Sequence, residues 1–350
     1  VLKVFVVIVL LLAVPAARLV AADTSNLLEL PQPDLSQLEP GVQELILEAR
    51  SGLDAAIAST ATSAADLGEA FGEMGKLYFV YDLSGLAEVC FLNAQTLRPD
   101  DFRWPHYLSV IYVLDGELEE AQSTLDRVLE LEPGSHAALT RRGDVLYDLR
   151  DLDSAVESYQ AALTLHPNNA AAFYGLGRVA ALRGDYPTAI ENFSTALQLQ
   201  PAANSIHHAL GMAYRQQGDL EQARAQLAQN RGGRVRIDDP LLSQLGTLLQ
   251  SSQMYFDAGV DAMKSGNYEE ALRQFSIARD LKPEDYLIPY NIALGLLRTG
   301  EEDEAIKWLQ TSVENNPDFR NGHFNLATML AGRGRLEEAA HHFGEAHRID

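Results

Sequence analysis

Residues 170–203 read AAAFYGLGRVAALRGDYPTAIENFSTALQLQPAA, and this stretch decides how the chain folds. Phe173, Leu176, Gly177 and Ala180 fall at i, i+3, i+4 and i+7, which puts apolar or small residues on one face of a first helix. Gly184-Asp185 then breaks that helix, because glycine tolerates the backbone of a tight turn. A second helix follows with Ala189, Phe193, Ala196 and Leu199 on one face. Pro201 stops it, since proline cannot continue the hydrogen-bond ladder. Helices this short are marginal alone in water, so each apolar stripe needs a cover.

The cover is supplied by copies of the same pattern. Repeat one spans 68–101 (Phe71, Met74, Gly75, Tyr78, Ala87, Phe91, Ala94, Pro99), with an atypical turn, DLSGL. Repeat two spans 102–135, with Leu108, Tyr112, Gly116, Leu125 and Pro133; repeat three spans 136–169, with Leu139, Gly143, Leu146, Tyr159 and Pro167. The opening stretch is repeat four. Repeat five begins at Asn204 with Leu210, Gly211, Tyr214 and Gly218-Asp219, and decays after Leu227. NRGGRVRIDDP, 230–240, then interrupts the phase, which resumes in repeats six (252–285), seven (286–319) and eight (320–350).

Leu-Gly, then Gly-Asp-Tyr, then Ala, Phe, Ala and Pro, in this order and recurring in phase, resembles the tetratricopeptide repeat (TPR). The resemblance implies an all-α, right-handed α-solenoid of helix hairpins, with about eight repeats, one of them degenerate. The organisation expected is a signal peptide at 1–22, a linker at 23–39, a helix at 40–67 covering the first repeat, repeats one to five at 68–230, an insertion at 231–251, and repeats six to eight at 252–350. The 1–22 segment has Lys3, an apolar run from Val4 to Val14, and Val20-Ala21-Ala22 as a small-residue cleavage site. It points to export, with the periplasm favoured over secretion or an uncleaved N-terminal anchor, and no membrane span left after cleavage. Val42, Leu45, Ile46, Ala49 and Leu53 share one face of the leading helix. The insertion reads either as a tolerated surface loop or as a basic loop that meets a partner or folds back over the acidic array. No polar capping helix follows repeat eight. Its last helix is therefore expected to be exposed, to be covered by a partner or second copy, or to belong to a shortened sequence.

The net charge of -22 argues against nucleic acid and anionic membrane as partners and leaves basic partners open. Cys90 is the single cysteine, so no internal disulfide can form, and its apolar surroundings read as core. The search for catalysis is negative. Gly175-Leu176-Gly177 mimics part of a dinucleotide fingerprint but lies mid-helix with no preceding strand. The two Arg-Gly-Asp triplets, at 142–144 and 183–185, belong to a helix and to the repeat's own turn. His207-His208 and His341-His342 are adjacent pairs that diverge on a helix, and no HExxH is present. We therefore expect no enzyme, no cofactor and no metal.

A surface remains. In TPR arrays the first helices line the concave side, as the resemblance implies. The fifth residue of each repeat gives Gly72, His106, Thr140, Tyr174, His208, Phe256, Tyr290 and Phe324; the ninth and twelfth add Tyr147, Arg178, Met212, Arg215 and Met263. Aromatic, Met and Arg side chains are what binding centres favour, although the same residues also pack helix against helix. Asn291 and Asn325 match positions where related arrays hold an extended peptide by its amides, and an Asn side chain can pair with both a peptide N–H and a C=O. The expected function is a non-catalytic scaffold of the cell envelope that binds a protein or extended peptide. The competing readings are a self-associating assembly subunit and an accessory subunit of an envelope enzyme.

Overall fold

The computed structural model describes residues 22–229 and 233–349; all but Ala22 of the expected export signal lies outside the described residues. Those residues contain helices and no strands. The leading helix α1 spans Pro40–Ala58. Hairpins follow: α2–α3 (Ala64–Val80, Ser84–Leu97), α4–α5 (Arg103–Asp115, Leu118–Leu131), α6–α7 (His136–Asp148, Leu152–Leu165), α8–α9 (Ala170–Leu182, Tyr186–Leu199) and α10–α11 (Ser205–Gln217, Leu220–Leu227). The short α12, Pro240–Leu245, interrupts them, before α13–α14 (Ser252–Lys264, Tyr268–Leu281), α15–α16 (Leu287–Thr299, Glu302–Asn315) and α17–α18 (Arg320–Gly332, Leu336–Arg348).

The chain divides into two compact units. Among the described residues, those up to Pro31 group with Gly52–Gln244, and Gln32–Ser51 group with those from Leu245 onward. Within each unit every hairpin packs on itself and its second helix packs on the first helix of the next hairpin. This stacking of consecutive hairpins is the solenoid expected from the repeat.

The turn inside each hairpin has one conformation. The same repeat position carries positive φ at Asp82 (61°), Gly116 (80°), Arg150 (69°), Gly184 (79°), Gly218 (93°), Gly266 (77°), Gly300 (90°) and Gly334 (74°). Glycine adopts this geometry freely, whereas Asp82 and Arg150 hold it against their Cβ atoms. The next residue caps the second helix. Asp151, Asp185, Asp219 and Asn267 each accept the backbone N–H three residues on, satisfying an otherwise unpaired donor.

Aromatic residues of the second helices fill slots left by glycines of the first. Tyr159 is fully buried between Gly143 of its own repeat and Gly175 of the next. A Cβ on Gly143 would lie 2.5 Å from the Tyr159 ring, and one on Gly175 2.2 Å from it. One ring thus fixes the spacing of two successive repeats. Its hydroxyl donates to Asp144 at 2.8 Å. Burial, and then the Asp144 charge, push the Tyr159 phenol up, so it stays a neutral donor.

The boundary between the two units falls within the leading helix. Residues 32–51, with the first turns of α1, group with repeats six to eight, and the rest of α1 from Gly52 groups with repeats one to five. Gly41 lies so close to Leu281 that a Cβ would be 2.5 Å from its Cα. Glu39 accepts hydrogen bonds from the backbone N–H (2.8 Å) and the hydroxyl (2.5 Å) of Ser252. The apolar stripe of α1 was legible, but a stripe does not say which repeat it covers.

Candidate functional site

Two stretches outside the repeats lie against them without helical structure. The first is the expected linker. Leu28 N–H donates to Asn93 Oδ1 at 2.7 Å, and Asn93 Nδ2 donates to the Leu28 carbonyl at 2.9 Å. One buried amide on α3 therefore pairs with both backbone polar groups of one residue.

The second is residues 233–239, here called the strap. It runs along the edge made by the turns joining one repeat to the next. The Gly233 carbonyl accepts from Ser205 N–H at 2.9 Å, at the start of repeat five. Gln200, at the end of repeat four, repeats the Asn93 arrangement: its Nδ-like amide nitrogen, Nε2, donates to the Arg236 carbonyl at 2.7 Å, and Arg236 N–H donates to Gln200 Oε1 at 2.9 Å. Val235 packs on the core that includes Phe193 and Ile206. Asp239 then enters the interior. It is 4% exposed, accepts from Arg141 at 2.8 Å, and lies 2.9 Å from His106 Nε2. Tyr107 Oη donates to the Leu241 carbonyl at 3.4 Å. The strap thus passes from repeat five back to repeat two.

The insertion does fold back over the array, but by a different charge pairing from the one its arginines suggested. Arg234 and Arg236 are exposed, and the buried contact is made by an acid. Burial pushes the Asp239 carboxyl up. The His106 hydrogen bond, the His106 and Arg141 charges and the Leu242 N–H outweigh this and hold it at about 2. A carboxylate can only accept, so His106 Nε2 carries the hydrogen. His106 Nδ1 is buried without a partner.

The expected stripe residues separate into groups. His106 is a correction: it is 1% exposed and covered by Asp239, so it offers no open surface. Tyr147, Arg178 and His208 come together around a cavity of about 350 Å³, with Tyr186, Phe193 and Met212 also on its walls. Arg178 is fixed there. Its guanidinium sits 3.8 Å from the Tyr147 ring centroid, and its two terminal nitrogens are each 3.2 Å from an acid, Asp144 and Asp148. Arg215 is exposed on the same helix as His208 and Met212. Tyr174 is turned into packing instead, 5.4 Å from the Phe193 ring.

In the second unit, Phe256 packs 5.6 Å from Phe275, and Tyr290 meets Phe319 edge-on at 4.9 Å. Phe324 is 54% exposed beside Phe343. Asn325 Nδ2 donates to Tyr290 Oη at 2.9 Å, and Asn291 Nδ2 donates to its own helix at the Leu287 carbonyl, 2.8 Å away. The amide-to-peptide contact expected of Asn291 and Asn325 is made in this molecule by Asn93 and Gln200. Sequence reading missed both. Each was an ordinary polar residue on a second helix or at its end, and the segment it binds is distant in sequence.

It also missed a cluster. His136, His166 and Asp238 each bring one donor atom within 4.8 Å of the others. Local spacing pointed to no metal, but these residues come from the start of α6, the end of α7 and the strap.

Tetratricopeptide-repeat family models match residues 111–170, 140–204, 174–230 and 256–318, and a second such model matches 321–345. The chain belongs to the tetratricopeptide repeat family. The matches begin after the first TPR hairpin, whose turn carries Asp82 where most repeats have glycine. Among curated TPR relatives, Photosystem I assembly protein Ycf3 of Acaryochloris marina (strain MBIC 11017) is 29% identical over 98 residues, 27% of this chain and 59% of that protein. The TPR repeat-containing thioredoxin TTL4 of Arabidopsis thaliana is 31% identical over 94 residues, 27% of this chain and 14% of that protein. The chain therefore spans less than two thirds of either relative. Among solved structures, MamA (41-end) from Desulfovibrio magneticus RS-1 is 20% identical, with a TM-score of 0.44 over 46% of this chain and 91% of that one. No helix of the described residues is long and apolar enough to cross a membrane.

Proposed function

We propose that this TPR array is a non-catalytic scaffold that binds an extended segment of a partner protein. The observation that carries the reading is internal. Repeats two to five already hold a non-repeat stretch of their own chain, and Gln200 grips its main chain without regard to side chain. Apart from the strap, the repeats offer a cavity whose walls combine apolar Phe193 and Met212, a fixed cation at Arg178, and Tyr147 and His208. Such a site takes an apolar anchor side chain flanked by polar main chain, the division of labour common at peptide-binding surfaces. Arg178, Tyr147, His208 and Arg215 form the part of the expected stripe in the first unit that supports this role; Phe256, Tyr290, Asn291, Phe324 and Asn325 form its counterpart in the second. Tyr174 supports the wall from behind. The acidic surface favours basic partners through faster encounter. The apolar run at 4–14 supports a place in the cell envelope, which N-terminal sequencing of the mature protein checks.

Selection of peptides from a displayed library tests the binding role. Enriched peptides should carry an apolar anchor and bind Met212→Glu about tenfold or more weakly. Binding to Gln160→Glu, on the exposed face of α7, should be unchanged. Failure to enrich any peptide, or equal loss in both variants, contradicts the reading.

A second reading, self-association, is favoured by Phe324 and Phe343. They are 54% and 39% exposed and meet edge-on at 5.8 Å. A concentration-dependent mass that Phe343→Lys abolishes would support it, and a monomer at every concentration would remove it.

A further inference from the structure

We propose that His136, His166 and Asp238 form a binding site for one divalent transition-metal ion, with Zn²⁺ as the type, and that the ion ties the strap to the repeats. Two histidines and a carboxylate are a donor set suited to zinc and its neighbours rather than to calcium or magnesium, which prefer oxygen ligands. The three donor atoms all lie within 4.8 Å of one another. Tetrahedral zinc, with bonds of about 2.0–2.1 Å, needs donors roughly 3.3 Å apart. The cluster must therefore contract by about 1.5 Å at most, which rotation of the two imidazole side chains and of the exposed Asp238 side chain can supply.

The imidazoles are placed in advance. His136 is the first residue of α6, and His166 is the C-cap of α7, with its backbone N–H bonded to the Ala162 carbonyl. Their rings are 4.7 Å apart, tilted by 37°. Nδ1 of each ring is buried and has no hydrogen-bond partner. The Asp238 carboxylate makes no hydrogen bond or ion pair among the described residues, unlike its neighbour Asp239, which is committed to His106 and Arg141. No internal contact therefore competes with a metal for the carboxylate or for these ring nitrogens. Position adds to this. The C-terminal end of α7 carries partial negative charge and favours a cation, partly offset by the N-terminal end of α6. Three protein donors leave a fourth position for water or a partner's side chain.

The site joins elements far apart in the chain. The ion would hold the strap at Asp238, one residue from the buried Asp239, so metal occupancy would set how firmly the strap lies on repeats two to five.

The test is titration of the metal-stripped full-length protein with Co²⁺ and Zn²⁺. Visible absorption reports Co²⁺ geometry, and a competing chelator reports affinity. His342→Gln serves as a control, because His342 pairs with His323 in the other unit and could add background binding. The wild type and the control should bind one equivalent with a tetrahedral Co²⁺ spectrum. Asp238→Asn and His166→Gln should each weaken that equivalent by about 100-fold. Zinc should slow amide exchange at 235–239 in the wild type and leave it unchanged in Asp238→Asn. Asp238 is exposed, so its substitution leaves the fold intact and isolates the metal effect. Absence of a bound equivalent in the wild type, or equal affinity in the wild type and Asp238→Asn, overturns the proposal. Loss of zinc binding with peptide binding retained would overturn nothing in the scaffold reading, so the two stand or fall separately.

Discussion

Asp239 and His106 are 133 residues apart in sequence, and their side chains meet at 2.9 Å inside the first unit. With Arg141 they form a buried charged cluster that only the fold could assemble. Removing one partner leaves the others buried and unpaired, which costs about 3–5 kcal/mol in comparable sites. Asp239→Ala should therefore free the strap and lower the stability of the first unit by about 3 kcal/mol. Faster amide exchange at 233–241, together with a lower denaturant midpoint, checks this.

The same carboxyl sets a pH dependence. Its folded value of about 2 lies below the ordinary 3.8. The stabilisation it brings is thus complete above the ordinary value and disappears as pH falls through about 2. The stability gap between wild type and Asp239→Asn should narrow as pH falls below about 4. Urea midpoints for the pair across this range measure it, and a gap that widened on acidification would contradict the pairing.

Arg150 occupies a turn position where six other repeats have glycine, and it holds φ at 69° with its side chain exposed. Left-handed geometry costs a residue with a Cβ roughly 1–2 kcal/mol, part of which glycine gives back through a freer unfolded chain. Arg150→Gly should stabilise the protein by about 0.5–1 kcal/mol. The thermal midpoint should rise.

Gly175→Ala and Gly344→Ala test packing against helix propensity. Both glycines lie within helices, where alanine is favoured by about 1 kcal/mol. Gly344 has nothing within 4 Å of its would-be Cβ, so that substitution should stabilise. Gly175 has Tyr159 at 2.2 Å, and the overpacking cost of about 1–3 kcal/mol should outweigh propensity. Denaturant midpoints should move in opposite directions.

The hairpins were legible in the sequence because their determinants are local. Gly184, Asp185, Phe193 and Pro201 each act within one repeat, and the 34-residue phase copies them. Partners chosen across the fold were not legible. His106 carries the same repeat position as His208, yet one is sealed by Asp239 and the other stands on a cavity wall. Nothing near either residue distinguishes them, since the sealing group arrives from the strap. The start of α1 likewise met Leu281 and Ser252, far along the chain. The His136, His166 and Asp238 cluster escaped notice for the same reason: none of the three is a neighbour of another in sequence.

The central claim is that the face formed by the first helices of repeats three to five receives a partner segment. Hydrogen exchange of the protein with and without a selected peptide tests it most directly. The account predicts slower exchange in α6, α8 and α10 around Tyr147, Arg178 and Met212, with α7 and α9 unchanged on their exposed faces. Protection confined to α7 and α9, or none in the first unit, would contradict it.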